Sequence, residues 1–579
     1  MTILGISCFY HDAAAALVRN GELMAAAQEE RFTRKRHDQS FPVNAIRYCL
    51  DSQGLTSLNV DYVVFYDKPF VKFERILSTY IATFPKSLPS FLKALPIWLK
   101  EKMWIPQTIK RELSYDGEIL FTEHHLSHAA SAFLVSPFEE AAILTLDGVG
   151  EWETSTFGVG RGTRIDLHYT THFPHSLGLL YSAFTYYLGF RVNSAEYKVM
   201  GLAPYGEPIF SDLILRELVD VRSDGSFKVN MKYFSYDHGL TMTGKAFERL
   251  LGQPRREPES PLTQFYKDVA ASLQKVTDMI VVRMARHVER ETGQKYLCVA
   301  GGVGLNCVSN SHIYENTSFK EIFVQPAAGD AGGAVGAAFY VYNTLLGNPR
   351  TYVMKHAFLG PEYPDAYIEQ FLLANEIPYR RLERRELLEE TARRIADQEV
   401  VGWFQGRMEF GPRALGSRSI LADARNPKNQ STVNLKIKFR ESFRPFAPSV
   451  LEERVSDYFD WNRPSPYMLF VATVPAERRT IPAVTHVDGS ARLQTISREQ
   501  HELYYDLLKE FERQTECPVL INTSFNVRGE PIVCTPEDAW NCFMRTEMDS
   551  LIMGSLVLSK REMSAVDKTK IQEQVFEPD

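Results

Sequence analysis

Cysteine is scarce in this sequence, and no two cysteines are spaced to bind a metal together. The 579 residues include 7 cysteines, an odd number spread along the whole chain, and none of them forms a C-x-x-C pair. The odd number in a long chain argues against a disulfide framework, and the lack of a C-x-x-C pair argues against a thiolate zinc site. We therefore expect buried free thiols in a reducing compartment.

Long hydrophobic runs are also missing. No apolar stretch reaches the ~18–20 residues that cross a bilayer. The first residues, MTILGIS, enter a strand-like apolar pattern without the basic region or the cleavage site of a secretory signal. We expect a cytoplasmic protein without a membrane partner.

A basic excess is absent as well. Lysine and arginine total 65 against 72 aspartates and glutamates, so the formal net charge at pH 7 is −7. A broad nucleic-acid-binding surface needs an excess of positive charge, so we expect no nucleic-acid partner. Hydrophobic residues make up 44% and charged residues 24%, which is the composition of a folded protein rather than a disordered one.

The first 65 residues are predicted to contain three short strands, a helix and a fourth strand. Asn20-Gly21 lies between apolar runs, which is typical of a β-hairpin. A similar set of strands begins at residues 142–146 and continues after the turn 147–150. This order resembles the actin-like ATPase fold, in which two such units face each other across a nucleotide cleft.

Residues 67–117 interrupt the pattern with a segment rich in phenylalanine, leucine, tryptophan and lysine. Phe70, Phe73 and Leu77 recur at helical spacing. An amphipathic basic helix of this kind suits either contact with a membrane surface or a helical lid packed on the core. We favour the inserted lid.

A histidine cluster, EHHLSHAA, offers candidate metal ligands. His124 and His128 are four residues apart, so a helix presents both on one face, where two imidazoles can hold one metal ion. Asp147 at the end of a predicted strand and Asp330 at the start of a predicted helix are candidate oxygen ligands. Two imidazoles with carboxylates suit Fe(II), Mn(II) or Zn(II). The alternative for Asp330 is a helix N-cap.

A glycine-rich loop, AGGVGLN, follows the predicted strand 296–299 and opens a predicted helix. Glycines let a nucleotide approach the backbone, and a helix N-terminus favours phosphate. Gly301, Gly302 and Asn306 are therefore candidate nucleotide-binding residues. The loop lacks the spacing of a Walker motif, and an ordinary tight turn is the alternative.

The second half of the sequence concentrates arginine among glycine, proline and aromatic residues. The loop GRMEFGPRALGSRS carries three arginines, further arginines follow in two later segments, and residues 521–526 add amide and hydroxyl donors. Guanidinium groups bind phosphate or carboxylate through two parallel hydrogen bonds. A small polyanionic ligand is the preferred interpretation, and a structural salt-bridge network is the alternative.

Ten ordered motifs together resemble the O-carbamoyltransferases of nodulation-factor and antibiotic biosynthesis. The resemblance covers essentially the whole chain. The motifs are GISCFYHDAAAALV, AAQEERFTRKRHD, EHHLSHAASAF, LTLDGVGEWETS, AEYKVMGLAPYG, AGGVGLN, AAGDAGGAVGAA, MEFGPRALGSRSI, SFRPFAPSV and NTSFNVRGEPIV.

The resemblance implies an α/β protein with two parts. Residues 1–350 would form an actin-like ATPase (Kae1-like) double domain that transfers the carbamoyl group, with a helical insertion at about residues 67–117. Residues 351–579 would form a YrdC-like α/β domain. That domain would make carbamoyl-adenylate from carbamoyl phosphate and ATP, with Mg²⁺ accompanying ATP and pyrophosphate released.

The resemblance also implies roles for particular residues. His124, His128, Asp147 and Asp330 would bind Fe(II) or another divalent metal, and spacing alone had singled out the same four. His11 would be the catalytic histidine, for which a turn-stabilising role is the alternative.

In the second half, five residues match family positions that bind carbamoyl phosphate and ATP. The acceptor pocket is matched only loosely, at Asp237 in KYFSYDHGL. The five matching residues are Arg413, Arg444, Arg492, Asn522 and Ser524.

Two other functions are compatible with parts of this pattern. Threonylcarbamoyl-type transfer to tRNA would need a basic surface near the cleft, and the net charge gives no sign of one. A non-catalytic nucleotide-binding regulator would leave the metal ligands and the arginines without a role. We expect a hydroxylated small-molecule acceptor, such as a secondary metabolite or a sugar; its identity and the oligomeric state do not follow from the sequence.

Overall fold

The structure is a computed structural model that describes residues 1–100, 102–441 and 443–565. Residue 101 of the predicted insertion, and residues 442 and 566–579 of the predicted C-terminal domain, lie outside the described residues.

The described chain divides into two compact units. The first contains Met1–Glu29 and His37–Met354, and the second contains Glu30–Arg36 together with the chain from Lys355 onward. Each unit mixes helices and strands, which confirms the predicted α/β class. The identity of the two units as transfer and adenylate-forming domains stays a prediction.

The segment Glu30–Arg36 differs from its expected place. The sequence puts it in the first domain, but its short helix α1 (Glu30–Thr33) and the residues after it pack within the second unit. Arg34 anchors it by donating hydrogen bonds to the carbonyls of Pro531 (2.8 Å) and Ile532 (2.7 Å).

The described residues of the first unit form two five-stranded sheets and one short hairpin. The first sheet consists of β1 (Thr2–Ser7), β2 (Ala14–Arg19), β3 (Glu22–Gln28), β4 (Tyr62–Phe65) and β5 (Glu118–Phe121). The second sheet begins with β6 (Glu140–Leu146), β7 (Glu153–Arg161) and β8 (Arg164–His172). The hairpin pairs β9 (Val219–Val221) with β10 (Phe227–Val229), and β11 (Tyr296–Ala300) and β12 (Glu321–Val324) complete the second sheet.

Both sheets have the same strand order. The first runs β3-β2-β1-β4-β5 and the second runs β8-β7-β6-β11-β12. In each sheet, three antiparallel strands are joined by two strands parallel to the first of them. The predicted repeat is therefore confirmed. Asn20-Gly21 closes the first hairpin with both residues at positive φ, 50° and 86°.

Helices connect and cover these sheets. The helices of the first unit are α2 (Val43–Asp51), α3 (Pro69–Ala82), α4 (Leu88–Lys100), α5 (Ile105–Leu113), α6 (His124–Phe133), α7 (Leu177–Tyr187), α8 (Glu196–Leu202), α9 (Ser211–Leu213), α10 (Lys245–Leu251), α11 (Gln264–Thr292), α12 (Cys307–Asn316) and α13 (Asp330–Phe339).

Glycines let α13 pack closely on its neighbours. A Cβ atom on Gly336 of α13 would lie 1.8 Å from the carbonyl oxygen of Ser127 in α6. A Cβ atom on Gly5 of β1 would lie 1.9 Å from the carbonyl oxygen of Ala334. Any side chain at these two glycines would force the elements apart, so the close contact fixes α13 against both α6 and the first sheet.

The predicted insertion is helical, as expected, and consists of α3, α4 and α5. Its packed side includes Lys72 and Arg75 of α3 and Trp98 of α4, all of which are buried. Among the described residues, no helix combines the length and the apolar character that crossing a membrane requires.

The second unit is built on a sheet that has nine strands within the described residues. They are β13 (Arg380–Arg381), β14 (Val401–Phe404), β15 (Arg418–Asp423), β16 (Ala447–Leu451), β17 (Phe470–Thr473), β18 (Ser490–Ile496), β19 (Val519–Ser524), β20 (Ser550–Met553) and β21 (Leu556–Ser559). Their order is β13-β21-β20-β14-β15-β19-β16-β18-β17. The helices are α14 (Asp365–Ala374), α15 (Arg384–Ala396), α16 (Lys428–Thr432), α17 (Val455–Tyr458), α18 (Glu502–Thr515) and α19 (Pro536–Arg545).

Replacing Gly336 by alanine should destabilise the protein by about 1–3 kcal/mol, because the new methyl group overlaps the Ser127 carbonyl and overpacks the contact. Urea unfolding checks this as a lower midpoint. Gly244→Ala is the control, since nothing lies within 4 Å of its Cβ position. Equal midpoints for Gly336→Ala and the wild type would contradict the close packing.

Candidate metal centre and active site

Four buried side chains of the first unit converge on one small volume. His124 and His128 come from α6, Asp147 follows β6, and Asp330 is the first residue of α13. One ligand atom from each residue lies within 4.8 Å of the other three. The two histidine Nε2 atoms are 3.1 Å apart, and each is 3.7 Å from Oδ1 of Asp330. We call these four residues the metal quartet.

A single divalent ion fits this spacing. At metal–ligand distances of ~2.0–2.2 Å, neighbouring ligand atoms lie ~2.8–3.6 Å apart in tetrahedral or octahedral geometry, and opposite ligand atoms of an octahedral ion lie ~4.0–4.4 Å apart. Nε2 of His124 is 3.1 Å from Oδ2 of Asp147, and Nε2 of His128 is 4.0 Å from the same oxygen. Two imidazoles and two carboxylates suit Fe(II), Mn(II) or Zn(II). A cation would also compensate two carboxylate charges that burial takes away from water.

Local structure explains how the ligands meet. The spacing of the two histidines on α6 directs both imidazoles to one side. The Tyr66 hydroxyl donates a hydrogen bond to Oδ2 of Asp330 (3.3 Å). The N-cap of α13 is Gly329, so the alternative role of Asp330 as an N-cap is wrong.

Glu151 holds the start of α6, and the sequence analysis missed it. Its carboxylate accepts hydrogen bonds from the backbone N–H of His124 (3.0 and 3.1 Å) and from that of Lys68 (2.8 Å). A carboxylate at a helix N-terminus also interacts favourably with the helix dipole. The acidic residue in the motif DGVGEWE was the available signal.

The charges of the metal quartet compensate one another. Burial lowers the pKa of His124, but its hydrogen bond to Asp147 and the charges of Asp330 and Asp147 together outweigh burial and raise the pKa above the ordinary value. Burial raises the pKa of Asp147, while the hydrogen bond from His124 and the charge of His128 hold it well below the ordinary value. His125 differs, because burial and the charge of His124 keep its pKa well below the ordinary value. Its Nδ1 lies 2.8 Å from the Thr145 hydroxyl, so it packs in the core.

His11 belongs to a separate ionic group with Asp12 and His37. One carboxylate oxygen of Asp12 lies 3.0 Å from Nδ1 of His11, and the other lies 2.7 Å from Nδ1 of His37. Nε2 of His11 is hydrogen-bonded to the carbonyl of Asn193. Asp12, His37 and Asn193 have positive φ values of 43°, 55° and 60°, which places several strained residues at one site.

Both ring nitrogens of His11 face acceptors, so the ring donates from both sides and carries a proton on each. Burial lowers the pKa of His11, but the charge of Asp12 and the hydrogen bond to it, together with the charge of Asp330 and the Asn193 carbonyl, outweigh burial and raise the pKa to about 10. The pKa of Asp12 is in turn held well below its ordinary value, because the charges of His11 and His37 outweigh the effect of burial. The catalytic role of His11 stays a prediction.

The glycine-rich loop makes contacts within the first unit. Gly301 has a φ of 91°, and a Cβ atom there would lie 2.2 Å from the carbonyl oxygen of Leu146. The N–H of Gly302 donates to Oδ1 of Asp147 at 2.9 Å, so this loop supports a member of the metal quartet.

The helix after this loop begins directly where the loop ends, as the sequence predicts. Gly302–Leu305 form a 3₁₀ turn, and α12 starts at Cys307 with Asn306 as its N-cap. Oδ1 of Asn306 accepts a hydrogen bond from the N–H of Ser309 at 3.1 Å. The predicted order of strand, glycine-rich loop and helix is therefore confirmed, and nucleotide binding by this loop stays a prediction.

Asp237 lies in a loop that contacts the helical insertion. Its carboxylate pairs with Nδ1 of His238 at 2.5 Å. The carbonyl of His238 accepts a hydrogen bond from the Ser90 hydroxyl of α4 at 2.8 Å. The predicted contact of Asp237 with the acceptor stays a prediction.

The candidate anion-binding residues of the second unit lie near one end of its sheet. β15, β16 and β18 begin at this end and β19 finishes there, because β19 is antiparallel to β15 and β16. Arg413 lies in the loop before β15, and Arg444 lies just before β16. Arg492 lies near the start of β18, and Asn522 and Ser524 lie at the end of β19.

Hydrogen bonds order this end of the sheet. Nδ2 of Asn522 donates to Oε1 of Gln494 (2.8 Å), and Nε2 of Gln494 donates to the carbonyl of Leu415 (2.9 Å). Oδ1 of Asn522 is buried and has no hydrogen-bond partner in the part of the chain that the structure describes. A buried acceptor of this kind is available to a ligand donor.

Lys438, in the cationic segment NLKIKFRESFRPFAP, is a further cation at this end of the sheet. It is buried, and its Nζ donates to the carbonyl of Ser524 at 2.7 Å. Burial and the charge of Arg440 hold the pKa of Lys438 well below its ordinary value.

Two arginines of the loop GRMEFGPRALGSRS serve the fold. Arg418 is fully buried and donates to the carbonyls of Gln405 (2.8 Å) and Pro361 (2.9 Å). Arg407 donates to the carbonyl of Leu359 at 2.7 Å. For these two residues, the hydrogen bonds to backbone carbonyls indicate a structural role.

Comparison with known proteins identifies the family. The family model described as the carbamoyltransferase N-terminus matches residues 2–339, and the one described as the carbamoyltransferase C-terminus matches residues 392–560. The chain belongs to the carbamoyltransferase family. The enzymatic class that the motifs predicted is confirmed.

Relatives of this carbamoyltransferase align with nearly its whole length. An uncharacterized protein of Synechocystis sp. is 53% identical and covers 100% of both chains. Nodulation protein NolNO of Sinorhizobium fredii is 38% identical over 97% of this chain and 81% of its own. Nodulation protein U of Rhizobium tropici is 30% identical over 91% of each chain.

His128→Ala should abolish stoichiometric metal binding by this carbamoyltransferase, because it removes one of two imidazole ligands. Elemental analysis after gel filtration measures the metal, and thermal unfolding shows that the chain is folded. His125→Gln is the matched control on the same helix and should keep its metal. Full occupancy in His128→Ala would contradict the metal quartet.

Proposed function

We propose that the protein is an ATP-dependent O-carbamoyltransferase whose acceptor is a hydroxyl group of a small molecule. The observation that carries this proposal is the buried metal quartet, His124, His128, Asp147 and Asp330, in a chain of the carbamoyltransferase family. A metal ion held by four such ligands would activate the carbamoyl carbonyl, which is a poor electrophile by itself. We propose Fe(II) as the metal, on the family resemblance.

The first step belongs to the second unit, where carbamoyl phosphate and ATP are converted to carbamoyl-adenylate. Arg413, Arg444 and Arg492 supply guanidinium groups for phosphate oxygens, while Asn522 and Ser524 offer hydrogen bonds to the polar groups of the ligands. In carbamoyl-adenylate, an oxygen atom bridges the carbamoyl carbon and the phosphorus of AMP. Carbamoyl phosphate, ATP and one water therefore give carbamoyl-adenylate, inorganic phosphate and pyrophosphate.

In the second step, the acceptor hydroxyl attacks the carbamoyl carbon and AMP leaves. When bound, the metal would supply Lewis-acid polarisation of the carbamoyl oxygen. Nε2 of His11 takes the hydroxyl proton, with Asp12 fixing the ring through Nδ1. A histidine with a pKa of about 10 is protonated at neutral pH. His11 therefore acts as a base only in its deprotonated form, which the charge of Asp12 and the hydrogen bond to it disfavour at neutral pH.

The two half-reactions should separate by mutation. Arg444→Ala should abolish the release of pyrophosphate that depends on ATP and carbamoyl phosphate, because it removes a buried guanidinium from the proposed anion site. His11→Ala should retain pyrophosphate release and lose the carbamoylated product. A pyrophosphate assay and mass spectrometry with a panel of hydroxylated metabolites measure the two outcomes.

Arg498→Ala is the control for these variants, because that arginine is on the second unit with 62% of its side chain exposed. It should retain both reactions. If His11→Ala blocked pyrophosphate release as strongly as Arg444→Ala, the assignment of His11 to the transfer step would be wrong.

A further inference from the structure

Arg75 is a buried cation without a carboxylate partner. It lies on α3, and only 5% of its surface is exposed. Its guanidinium donates to the carbonyl of Gly150 (3.2 Å) and lies 5.1 Å from the centre of the Phe173 ring. Across residues 1–100, 102–441 and 443–565, no carboxylate oxygen lies within 4.0 Å of this guanidinium. Burial lowers the pKa of Arg75 below its ordinary value, which shows that its charge is poorly compensated.

Arg75 is separated from the metal quartet by one residue. Gly150, whose carbonyl it binds, packs directly on His124, because a Cβ atom at Gly150 would lie 3.0 Å from the Cβ of His124. Lys72 lies one turn earlier on the same helix, and its Nζ is 4.6 Å from the centre of the Tyr10 ring. The buried side of α3 therefore brings two cations next to the quartet.

The two cations differ in how their charge is paired. Nζ of Lys72 lies 2.6 Å from Oδ2 of Asp67, so an ion pair compensates that charge. Among the described residues, the guanidinium of Arg75 has a neutral carbonyl and an aromatic ring as partners and no carboxylate. A guanidinium has five N–H donors in a planar fork that fits a phosphate group, and one hydrogen bond leaves most of these donors for a ligand.

We propose that Arg75 binds the phosphate group that leaves with the carbamoyl donor, next to the metal quartet. This inference rests on the proposed function, in which carbamoyl-adenylate gives up its carbamoyl group and AMP departs. The P–O oxygen that leaves the carbamoyl carbon gains negative charge, and the guanidinium compensates it. Inorganic phosphate offers the same chemistry, so AMP and phosphate are compared in the test.

Hydrogen exchange of the full chain, measured by mass spectrometry, tests this proposal without turnover. AMP should slow exchange in peptides from Pro69–Ala82 and from residues 148–152. In Arg75→Gln the apparent affinity for AMP, read from the AMP concentration that gives half of this protection, should fall about tenfold or more, because the charged hydrogen bonds are lost. Arg75→Lys should keep part of it, since the charge stays and the fork is lost. Arg111→Gln, whose side chain is 72% exposed on α5, is the matched control and should bind as the wild type does.

The possible results either support or overturn the binding of phosphate by Arg75. Protection by AMP that is unchanged in Arg75→Gln and Arg75→Lys would overturn the proposal, as would equal protection by acetate or none by any anion. Equal protection by AMP and inorganic phosphate would support recognition of the phosphate alone. If Arg75→Gln fails to fold, Arg75→Lys carries the test. Failure of the proposed function has a different signature, namely no carbamoylated product from the wild type, and leaves this binding measurement intact.

A second inference comes from the outer face of the same insertion, which is apolar and exposed. In α4, Leu88, Leu92 and Leu99 are 43%, 63% and 48% exposed, and in α3, Phe70 and Ile81 are 64% and 69% exposed. Large apolar side chains concentrated in adjacent helices mark an interaction surface.

Different sides of α4 carry different types of residue. The three exposed leucines are separated by four and seven residues and therefore share one face. Lys93 and Lys100, both exposed, are separated by seven residues and share a neighbouring strip. Trp98 lies on another side and is buried against the protein. The helix thus has a packed side, an exposed leucine face and a lysine strip beside it.

We infer that the leucine face of α4 binds the surface of a membrane that contains anionic lipid. The leucines enter the interface and the lysines contact phosphate head groups, as in helices that lie in the membrane plane. A two-fold contact between copies of the chain would instead bring the lysine strips of both copies to one interface. Repulsion between their positive charges disfavours that arrangement. This inference reverses the expectation of no membrane partner and is independent of the proposed function.

Vesicle flotation with the full chain tests the membrane inference. Vesicles of phosphatidylcholine with about 30% phosphatidylserine should carry the wild type upward, and phosphatidylcholine alone should carry less of it, because anionic lipid attracts the lysines. The double substitution Leu92→Glu with Leu99→Glu should reduce binding about tenfold or more. Leu373→Glu is the matched control, since that leucine is 62% exposed on α14 of the second unit.

Wild type that stays unbound, or a double variant that floats equally well, would overturn the inference. Sedimentation of the same proteins without lipid provides a second readout. A wild-type dimer that becomes monomeric in the double variant would assign the leucine face to a second copy of the chain and would also overturn it.

Discussion

Two buried carboxylates and two buried imidazoles share a volume in which no ligand atom is more than 4.8 Å from another, and much of the first unit serves to keep them there. Bringing such groups out of water is costly unless their charges compensate. The two histidines come after the end of β5, Asp147 comes after β6, and Asp330 comes after β12, so the segments that leave these strands carry the ligands. The contact of Gly336 with Ser127 then holds α13 against α6, so the ligand pair on one helix meets the carboxylate on the other.

Local sequence signals predicted the parts of the site whose geometry is local. His124 and His128 were predictable because helical spacing alone places them on one face, and the repeated strand order was predictable from apolar runs and turns. Arg75 was not, because its burial against Gly150 joins elements that are distant in the chain. Gly302 shows the opposite problem. A glycine loop has the same appearance whether its N–H groups bind phosphate or an internal carboxylate, and here that of Gly302 binds Asp147.

The ionic group around His11 shows that stability and reactivity oppose each other at this site. The pKa of His11 is raised to about 10, so its stabilising effect is fully present below the ordinary value of ~6.5 and is lost as pH rises through about 10. The depressed pKa of Asp12 gives an effect that is present above its ordinary value of ~3.9 and is lost as pH falls through the depressed value. At neutral pH much of this stabilisation is still present, so a base at His11 forms only at the expense of the ion pair.

The helix α3 connects the chemistry of the site to the surface of the molecule. Its buried side carries Arg75 beside the metal quartet, and its outer side carries Phe70 and Ile81. At ~100° per residue, these two apolar positions are rotated by about 140° and 120° from Arg75 in the same direction, so they share one face of the helix. The α4 substitutions change no residue of this helix, while those at Arg75 leave its exposed apolar residues unchanged. Loss of phosphate recognition and loss of membrane binding are therefore separable, and each can be assigned to its own face of the insertion.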